Sequence, residues 1–381
     1  MIVAGEASGD NHAARLIDAL RECSPGVEFD FFGASGQKMR DAGVEAVVNP
    51  DDFAIVGVTE IVRALPMFLR AFRTLKQSAI ERKPDVVILV DFPEFNLKLA
   101  KSLKKQGFRV VYYISPQLWA WRKYRVTTIR NYVDLMLTIL PFEKDWYQSN
   151  GVKHVEYVGN PLANEVHAST DKDEFCAIND LDPTRQIISL LPGSRQTEIV
   201  RILPVMLATV ESISSIRPDI QFVIAASSYK ARNNIEMIIK KSIFAGCKLP
   251  TDLKIVTNST YDALNASDAA AVTSGTATLE TGIIGTPLTV VYKGSALNYK
   301  LLRPLIDVEH FGMINLIAGE RIAKELIQDD LTPEKLAEDL FRLLEPEENA
   351  KVRIKLRAAV EKLGTGGASK RAAEAIINLI S

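Results

Sequence analysis

A chain of 381 residues that is 47% hydrophobic carries enough apolar material for two cores of ordinary size. Its 46 basic and 47 acidic residues leave a formal charge of −1, which argues against a broad nucleic-acid-binding face and confines any anionic partner to a local patch. Cys23, Cys176 and Cys247 lie far apart with no CxxC spacing, which points away from a disulfide framework or zinc ribbon and towards reduced thiols in a cytosolic protein.

The N-terminus lacks a basic region followed by an apolar run, so no signal peptide is expected. No uncharged apolar stretch reaches bilayer-spanning length, and any membrane contact is expected to be peripheral. Short Val- and Ile-rich runs alternate with longer amphipathic stretches, the pattern of a parallel sheet covered by helices. Strands are predicted at Ile2–Ala4, Val27–Phe32, Val86–Val90, Val110–Ile114, Leu135–Ile139 and Val155–Val158. Helices are predicted at Gly9–Glu22, Thr59–Ile80, Phe95–Gln106, Arg125–Asn131 and Phe142–Asn150. The first strand is so short that a few native residues are expected ahead of Met1.

Gly159-Asn160-Pro161 and the polar stretch from Thr170 to Asp180 read as a connection between domains. The pattern then restarts, with strands at Ile187–Leu191, Gln221–Ala225, Leu253–Val256, Ala269–Val272 and Leu288–Val291. The chain is helical from Thr332, breaks at Gly364-Thr365-Gly366-Gly367, and ends in an amphipathic helix, Ser369–Ile380. The expected fold class is α/β: two doubly wound, Rossmann-like domains, residues 1–160 and 161–345, followed by a helical segment, 346–381. Such sheets bind ligands at the carboxyl ends of their strands, here expected to face a shared cleft.

Several motifs fall at those ends. Gly5-Glu6-Ala7-Ser8-Gly9-Asp10 follows the first strand, where a helix N-terminus offers amides to an anion or sugar hydroxyl, or where Ser8 or Asp10 simply caps the helix. Asp91-Phe92-Pro93-Glu94-Phe95-Asn96 places a carboxylate, Asp91, where a general base would sit, although capping the next helix is an equally ordinary use. Leu191-Pro192-Gly193-Ser194-Arg195 combines loop amides with a guanidinium, a diphosphate cradle that offsets leaving-group charge, or else a Gly turn with a surface arginine. Thr273 to Glu280 adds hydroxyls at Ser274 and Thr276 around Gly275, and Glu280 is placed to accept from a ribose diol or to close a capping box.

Tyr112 to Arg125 runs from a strand into Trp119, Trp121 and a cluster of bases; it fits a sugar and its phosphate, a single-stranded nucleic acid, or a packed aromatic corner. Along the helix Thr59–Ile80, Val58, Ile61, Leu65, Phe68, Leu69 and Phe72 form one apolar stripe flanked by Arg63, Arg70, Arg73 and Lys76, which suits either a core face or a surface helix that dips into lipid. Pro66 should kink it. His12, His154, His167 and His310 show no metal-ligand spacing, and no DxD-like pair stands out, so no metal is expected.

Taken together, GEASGD at Gly5–Asp10, DFPEFN at Asp91–Asn96, YYISPQLWAWR at Tyr112–Arg122, LPFEK at Leu140–Lys144, LLPGSR at Leu190–Arg195, SGTATLE at Ser274–Glu280 and NLIAGE at Asn315–Glu320 resemble the lipid-A-disaccharide synthase family. They run in the family's order through most of the chain. The resemblance implies a GT-B fold and an inverting transfer that needs no cofactor and no metal. The implied donor is UDP-2,3-diacylglucosamine and the implied acceptor 2,3-diacylglucosamine 1-phosphate, met at the cytoplasmic face of the inner membrane.

On that resemblance Asp91 is the candidate base, and Glu6 lies on the opposite side of the cleft. Gly193, Ser194 and Arg195, with Ser274, Gly275 and Thr276, hold the diphosphate, while Glu280 and Asn315 contact the nucleotide or donor sugar. Ser8, Asn96, Ser115, Gln117, Trp119, Trp121 and Arg122 face the acceptor, with Arg122 at its phosphate. The sequence departs from the pattern at Glu94, where a second Asp is expected. The resemblance also implies a C-terminal segment that packs back on the first domain, in some relatives from a second subunit, so a homodimer is an expected partner state. A UDP-sugar epimerase is the alternative on the same nucleotide site, and a nucleic-acid binder is disfavoured by the charge balance.

Overall fold

The computed structural model describes residues 1–49, 58–295 and 309–381, and the side chains there other than those at positions 7 and 58–65. The chain forms two units, Met1–Pro161 with Thr365–Ser381, and Leu162–Gly364.

In the first unit the strands are β1 (Ile2–Ala4), β2 (Phe32–Ala34), β3 (Glu45–Val48), β4 (Val87–Val90), β5 (Val110–Tyr113), β6 (Leu135–Thr138) and β7 (Val155–Tyr157). They pair in parallel in the order β3-β2-β1-β4-β5-β6-β7. Strand order reverses between β1 and β4, the switch point where a doubly wound sheet opens a crevice. β4 and β5 are buried along their whole length because helices cover both faces, which is why they read as unbroken apolar runs.

The strand expected at Val27–Phe32 begins later. Val27 and Glu28 are exposed, and the ladder with β1 starts at Phe32–Ala34, with Gly33 opposite Ile2. Only glycine fits there, since a Cβ on residue 33 would stand 1.8 Å from the Ile2 carbonyl oxygen. β3, an edge strand beginning with an exposed Glu-Ala pair, has no sequence signature of burial.

The second unit holds β8 (Ile187–Leu191), β9 (Gln221–Ala226), β10 (Lys254–Thr257), β11 (Ala269–Thr273), β12 (Leu288–Tyr292) and β13 (Glu325–Ile327), in the parallel order β10-β9-β8-β11-β12-β13. The reversal falls between β8 and β11. The polar stretch after Thr170 is not a linker: Lys172–Asn179 is a helix of this unit, capped by Asp171, and it buries Phe175 and Cys176. Residues 346–364 also stay with this unit rather than with the terminal segment, because the helix Pro346–Glu361 packs on the helices Met313–Ala318 and Pro333–Leu344 and buries Val352, Leu356 and Ala359.

Only the last helix, Ala368–Ile380, returns to the first unit. It lies on the helix Ala7–Cys23 and inserts Ala372, Ala373 and Ile376 among Ile2, Leu16 and Leu20, its small residues allowing close approach. Arg371 donates to the Val158 carbonyl at 2.8 Å, and Arg109 caps the far end at the carbonyls of Leu379 and Ile380.

The apolar stripe expected to meet lipid divides. Phe68 and Phe72, on the helix Val58–Arg82, pack inward against Phe95 at 6.2 and 6.0 Å, so both belong to the core. Leu69 and Met67 are exposed. Val58, Ile61 and Leu65 lie outside the described side chains. Among the described residues one helix, Gln196–Ile216, is long and apolar enough by composition to cross a membrane, although it is not an uncharged stretch. It carries Glu198, Arg201 and Glu211, and it buries Ile199, Leu203, Met206, Leu207 and Val210 beside the helices Tyr229–Phe244 and Pro333–Leu344. Cys23, Cys176 and Cys247 are free thiols.

Candidate active site

The second unit carries a cavity of about 590 Å³ across the carboxyl ends of β8, β9, β10 and β11. Small, hydrogen-bonding residues line it because each strand ends there in a polar turn: Gly193 to Arg195 after β8, Ser227 after β9, Asn258 to Tyr261 after β10, and Ser274 to Thr276 after β11. Of the residues expected to bind the donor, Gly193, Ser194, Arg195, Ser274, Gly275, Thr276 and Glu280 are thus brought together. Sequence reasoning missed Ser227, Asn258, Tyr261 and His167. For Ser227, Asn258 and Tyr261 the signal was their place just past a strand end; His167 follows the short helix Leu162–Glu165 and carried none.

The β8 loop is an anion-binding turn with a carboxylate already in it. Ser194 N and Arg195 N both donate to Glu198 Oε2 at 3.3 Å, and Arg195 Nη1 donates to Oε1 at 3.1 Å. Gly193 takes φ +110°, and a Cβ there would stand 2.7 Å from Glu198 Oε2. The Arg195 side chain is 81% exposed, so its ion pair with Glu198 is a weak tether.

Across the cavity, the helix Thr276–Ile284 starts at Gly275, which offers no side-chain cap to its first amides. Glu280 does not close a capping box; it accepts from the Tyr261 hydroxyl at 3.2 Å, and burial holds its carboxyl above the ordinary range despite that bond.

Asn315 is a correction. It is fully buried outside the cavity lining, donating to Ala323 O and Glu325 Oε1 and accepting from Ala323 N. Glu325 also accepts from Phe311 N and Gly312 N, and Phe311 O receives the Ser274 hydroxyl at 2.7 Å. Asn315 therefore braces the loop that braces Ser274.

In the first unit, the turn after β4 carries two successive non-glycine residues in the left-handed region, Asp91 (φ 48°) and Phe92 (φ 50°). Each costs about 1–3 kcal/mol and persists only where the surroundings enforce it. Here Asn96 Nδ2 donates to Val90 O and Asp91 O at 3.2 and 2.8 Å, and the Tyr112 hydroxyl donates to Asp91 O at 2.7 Å. Phe92 wedges over Gly5, where a Cβ would lie 2.2 Å from its ring, and stacks between Phe68 and Phe95. Helix Pro93–Lys104 takes Phe92, not Asp91, as its N-cap. The Asp91 carboxyl is pushed up to about 6, chiefly by burial and then by the nearby Glu6 charge, with the Phe92 amide pulling the other way. Asn96 is fully buried, so it shapes this turn and cannot touch an acceptor.

Glu6 and Ser8 are exposed at the start of helix Ala7–Cys23. Asp10 instead caps a different helix, Gln37–Asp41, accepting from Lys38 N at 2.8 Å and Met39 N at 3.3 Å.

The aromatic–basic block splits into a buried floor and an exposed rim. Ser115 and Trp119 are buried and donate to Glu143 Oε1 at 2.6 and 3.0 Å, while Ile139 N and Leu140 N donate to Oε2. Neither is available to an acceptor. Glu143, overlooked within LPFEK, is raised to about 7 because burial outweighs its four donors. Gln117 and Trp121 are exposed, and Arg122 lies over the Trp121 ring at 4.2 Å. Arg122 and Arg125 both grip Glu94, the residue at which the sequence departs from the family pattern. Chiefly through Arg125, they hold its carboxyl below the usual range.

Among the described residues, no group of three or more His, Cys, Asp or Glu is placed to hold a metal ion.

The family profile described as lipid-A-disaccharide synthetase matches residues 1–378. The lipid-A-disaccharide synthase of Trichlorobacter lovleyi is 41% identical over 100% of this chain and 97% of its own, and that of Syntrophus aciditrophicus is 42% identical over the same shares. Among solved structures, the UDP-GlcNAc 2-epimerase of Neisseria meningitidis bound to UDP-GlcNAc aligns with a TM-score of 0.65 at 13% identity, covering 99% of each chain. MurG of Acinetobacter baumannii aligns at 0.58 and 13% identity, covering 99% of this chain and 98% of that one. At such identities the structures speak for the fold alone, two Rossmann-like domains of the GT-B class. The sequence relatives decide between epimerase and transferase: over its whole length, the chain belongs to the lipid-A-disaccharide synthase family of glycosyltransferases.

Proposed function

We propose that the chain transfers 2,3-diacylglucosamine from UDP-2,3-diacylglucosamine to the 6-hydroxyl of 2,3-diacylglucosamine 1-phosphate, with inversion and without a metal, releasing UDP and a β-1,6-linked disaccharide. The observation that carries the reading is the cavity between the β8 and β11 loops. Its volume of about 590 Å³ lies in the range of small-ligand sites, and its lining suits a nucleoside diphosphate.

The Ser194 and Arg195 amides, the Arg195 guanidinium and the uncapped start of helix Thr276–Ile284 are the groups that would take up charge developing on the departing diphosphate. Glu280, held by Tyr261, suits a ribose diol. Asp91 would take the proton of the acceptor hydroxyl as that oxygen attacks the anomeric carbon and the bond to UDP breaks. Its buried carboxyl, tuned to about 6, is ionised at neutral pH yet basic enough to accept that proton. Glu6 would raise its basicity from outside. Gln117 and Trp121, which are exposed, and the half-buried Arg122 are the members of the aromatic block that we assign to the acceptor.

Both lipids reside in a membrane, and exposed Met67 and Leu69 on helix Val58–Arg82 support peripheral attachment at the cytoplasmic face of the inner membrane. The last helix, whose apolar seat is made of first-unit residues alone, would fit the same seat on a second copy, giving an exchanged homodimer. The test of the chemical assignment is Asp91→Asn. It should keep UDP binding, measured by calorimetry, while losing turnover; lost UDP binding in a folded variant would overturn it.

A further inference from the structure

The helix Tyr229–Phe244 on the second unit presents an apolar and basic face that the reaction does not use. Its inner side buries Ala231 and Ile235. On the outer side Met237, Lys240, Lys241 and Phe244 follow at i, i+3, i+4 and i+7, one stripe of a helix surface, and all four are exposed. Phe244 is 94% exposed, and Ile243 beside it 53%, an unusual position for large apolar side chains in water. From Tyr229 to Lys248 the bases are Lys230, Arg232, Lys240, Lys241 and Lys248, against the single acid Glu236. Arg232 binds that acid at 2.9 Å, so the positive charge at the helix end comes from lysines. The whole chain carries −1, so this positive end is a local feature.

We propose that the carboxyl-terminal end of this helix is a lipid-surface contact, in which Phe244, Ile243 and Met237 enter the headgroup boundary of a membrane bearing anionic lipid. Lys240, Lys241 and Lys248 lie alongside with flexible stems that reach phosphates. Charge complementarity selects a lipid surface over a second copy of this chain, whose identical basic tip would repel. Apolar insertion and lysine attraction are the two terms by which such surface helices bind.

The test is co-sedimentation of the full chain with phosphatidylcholine vesicles, with and without phosphatidylglycerol. Met237→Ser/Ile243→Ser/Phe244→Ser is expected to lower partition into phosphatidylglycerol vesicles about tenfold, and Lys240→Gln/Lys241→Gln to remove most of the preference for phosphatidylglycerol. All five residues are exposed, so circular dichroism should show the parent fold, and turnover in detergent micelles should be unchanged. That turnover measures the assigned reaction separately from vesicle binding. Partition equal to the parent in both variants overturns the proposal. So does a parent chain that binds neither vesicle, or a triple variant that changes oligomeric mass while vesicle binding stays intact.

Discussion

Asp91 and Glu6 set the expected pH behaviour. A base must be ionised to act, so kcat/KM should rise as pH rises through about 6 and then level off. Because the Glu6 charge helps raise Asp91, Glu6→Gln should move that acid limb to lower pH; an unmoved limb would show that burial alone sets it. The same tuning costs stability. A carboxyl raised from 3.8 to about 6 on folding binds its proton more tightly in the native state, so stability is lost as pH rises through that window and stays lost above it. Asp91→Asn should therefore be inactive at pH 7 yet more stable, by roughly 2–3 kcal/mol at most, read as a raised melting temperature. Glu198 makes the opposite case, a residue whose use was hidden in sequence. Its carboxylate occupies the amides of Ser194 and Arg195 that we assign to the diphosphate. Glu198→Gln should bind UDP a few-fold more tightly; weaker binding would show that the carboxylate chiefly holds the loop in shape.

Elements buried on both faces were legible from composition, because β4, β5 and β8 are apolar or aromatic throughout apart from Ser189. Two edge strands, β3 and β13, were not: β3 exposes its first half, and β13 is three residues long. The motifs were visible as motifs, but the division of labour inside them was not. Asn96, Ser115, Trp119 and Asn315 have the chemistry of ligand-binding residues, and all four are spent on internal hydrogen bonds whose partners lie 5 to 28 positions away. No spacing rule reveals that the Gly5 position exists for the Phe92 ring. Glu143 ties the loop after β5 to the turn after β6. Glu143→Ala would leave the Ser115 hydroxyl, the Trp119 indole and two backbone amides without their acceptor, so denaturant unfolding should show a loss of about 3 kcal/mol or more. Glu143→Gln, which keeps an acceptor oxygen, should lose less.

At the scale of the molecule, the alternation of apolar and amphipathic runs announced two doubly wound units, and their strand orders reverse at β1/β4 and β8/β11 as that architecture requires. The point where the chain leaves the second unit was harder to read. Helix Pro346–Glu361 is charge-rich and the last helix apolar on one face, yet only packing assigns the first to one unit and the second to the other. The candidate chemistry is distributed accordingly, a nucleotide-type cavity in one unit and a tuned carboxylate in the other. The central claim, transfer between two lipid-linked sugars, is tested most directly by UDP release from UDP-2,3-diacylglucosamine in detergent and EDTA, with and without 2,3-diacylglucosamine 1-phosphate. The account predicts UDP release that depends on the acceptor and matches the disaccharide formed. Bound UDP with no disaccharide when both lipids are present would contradict it.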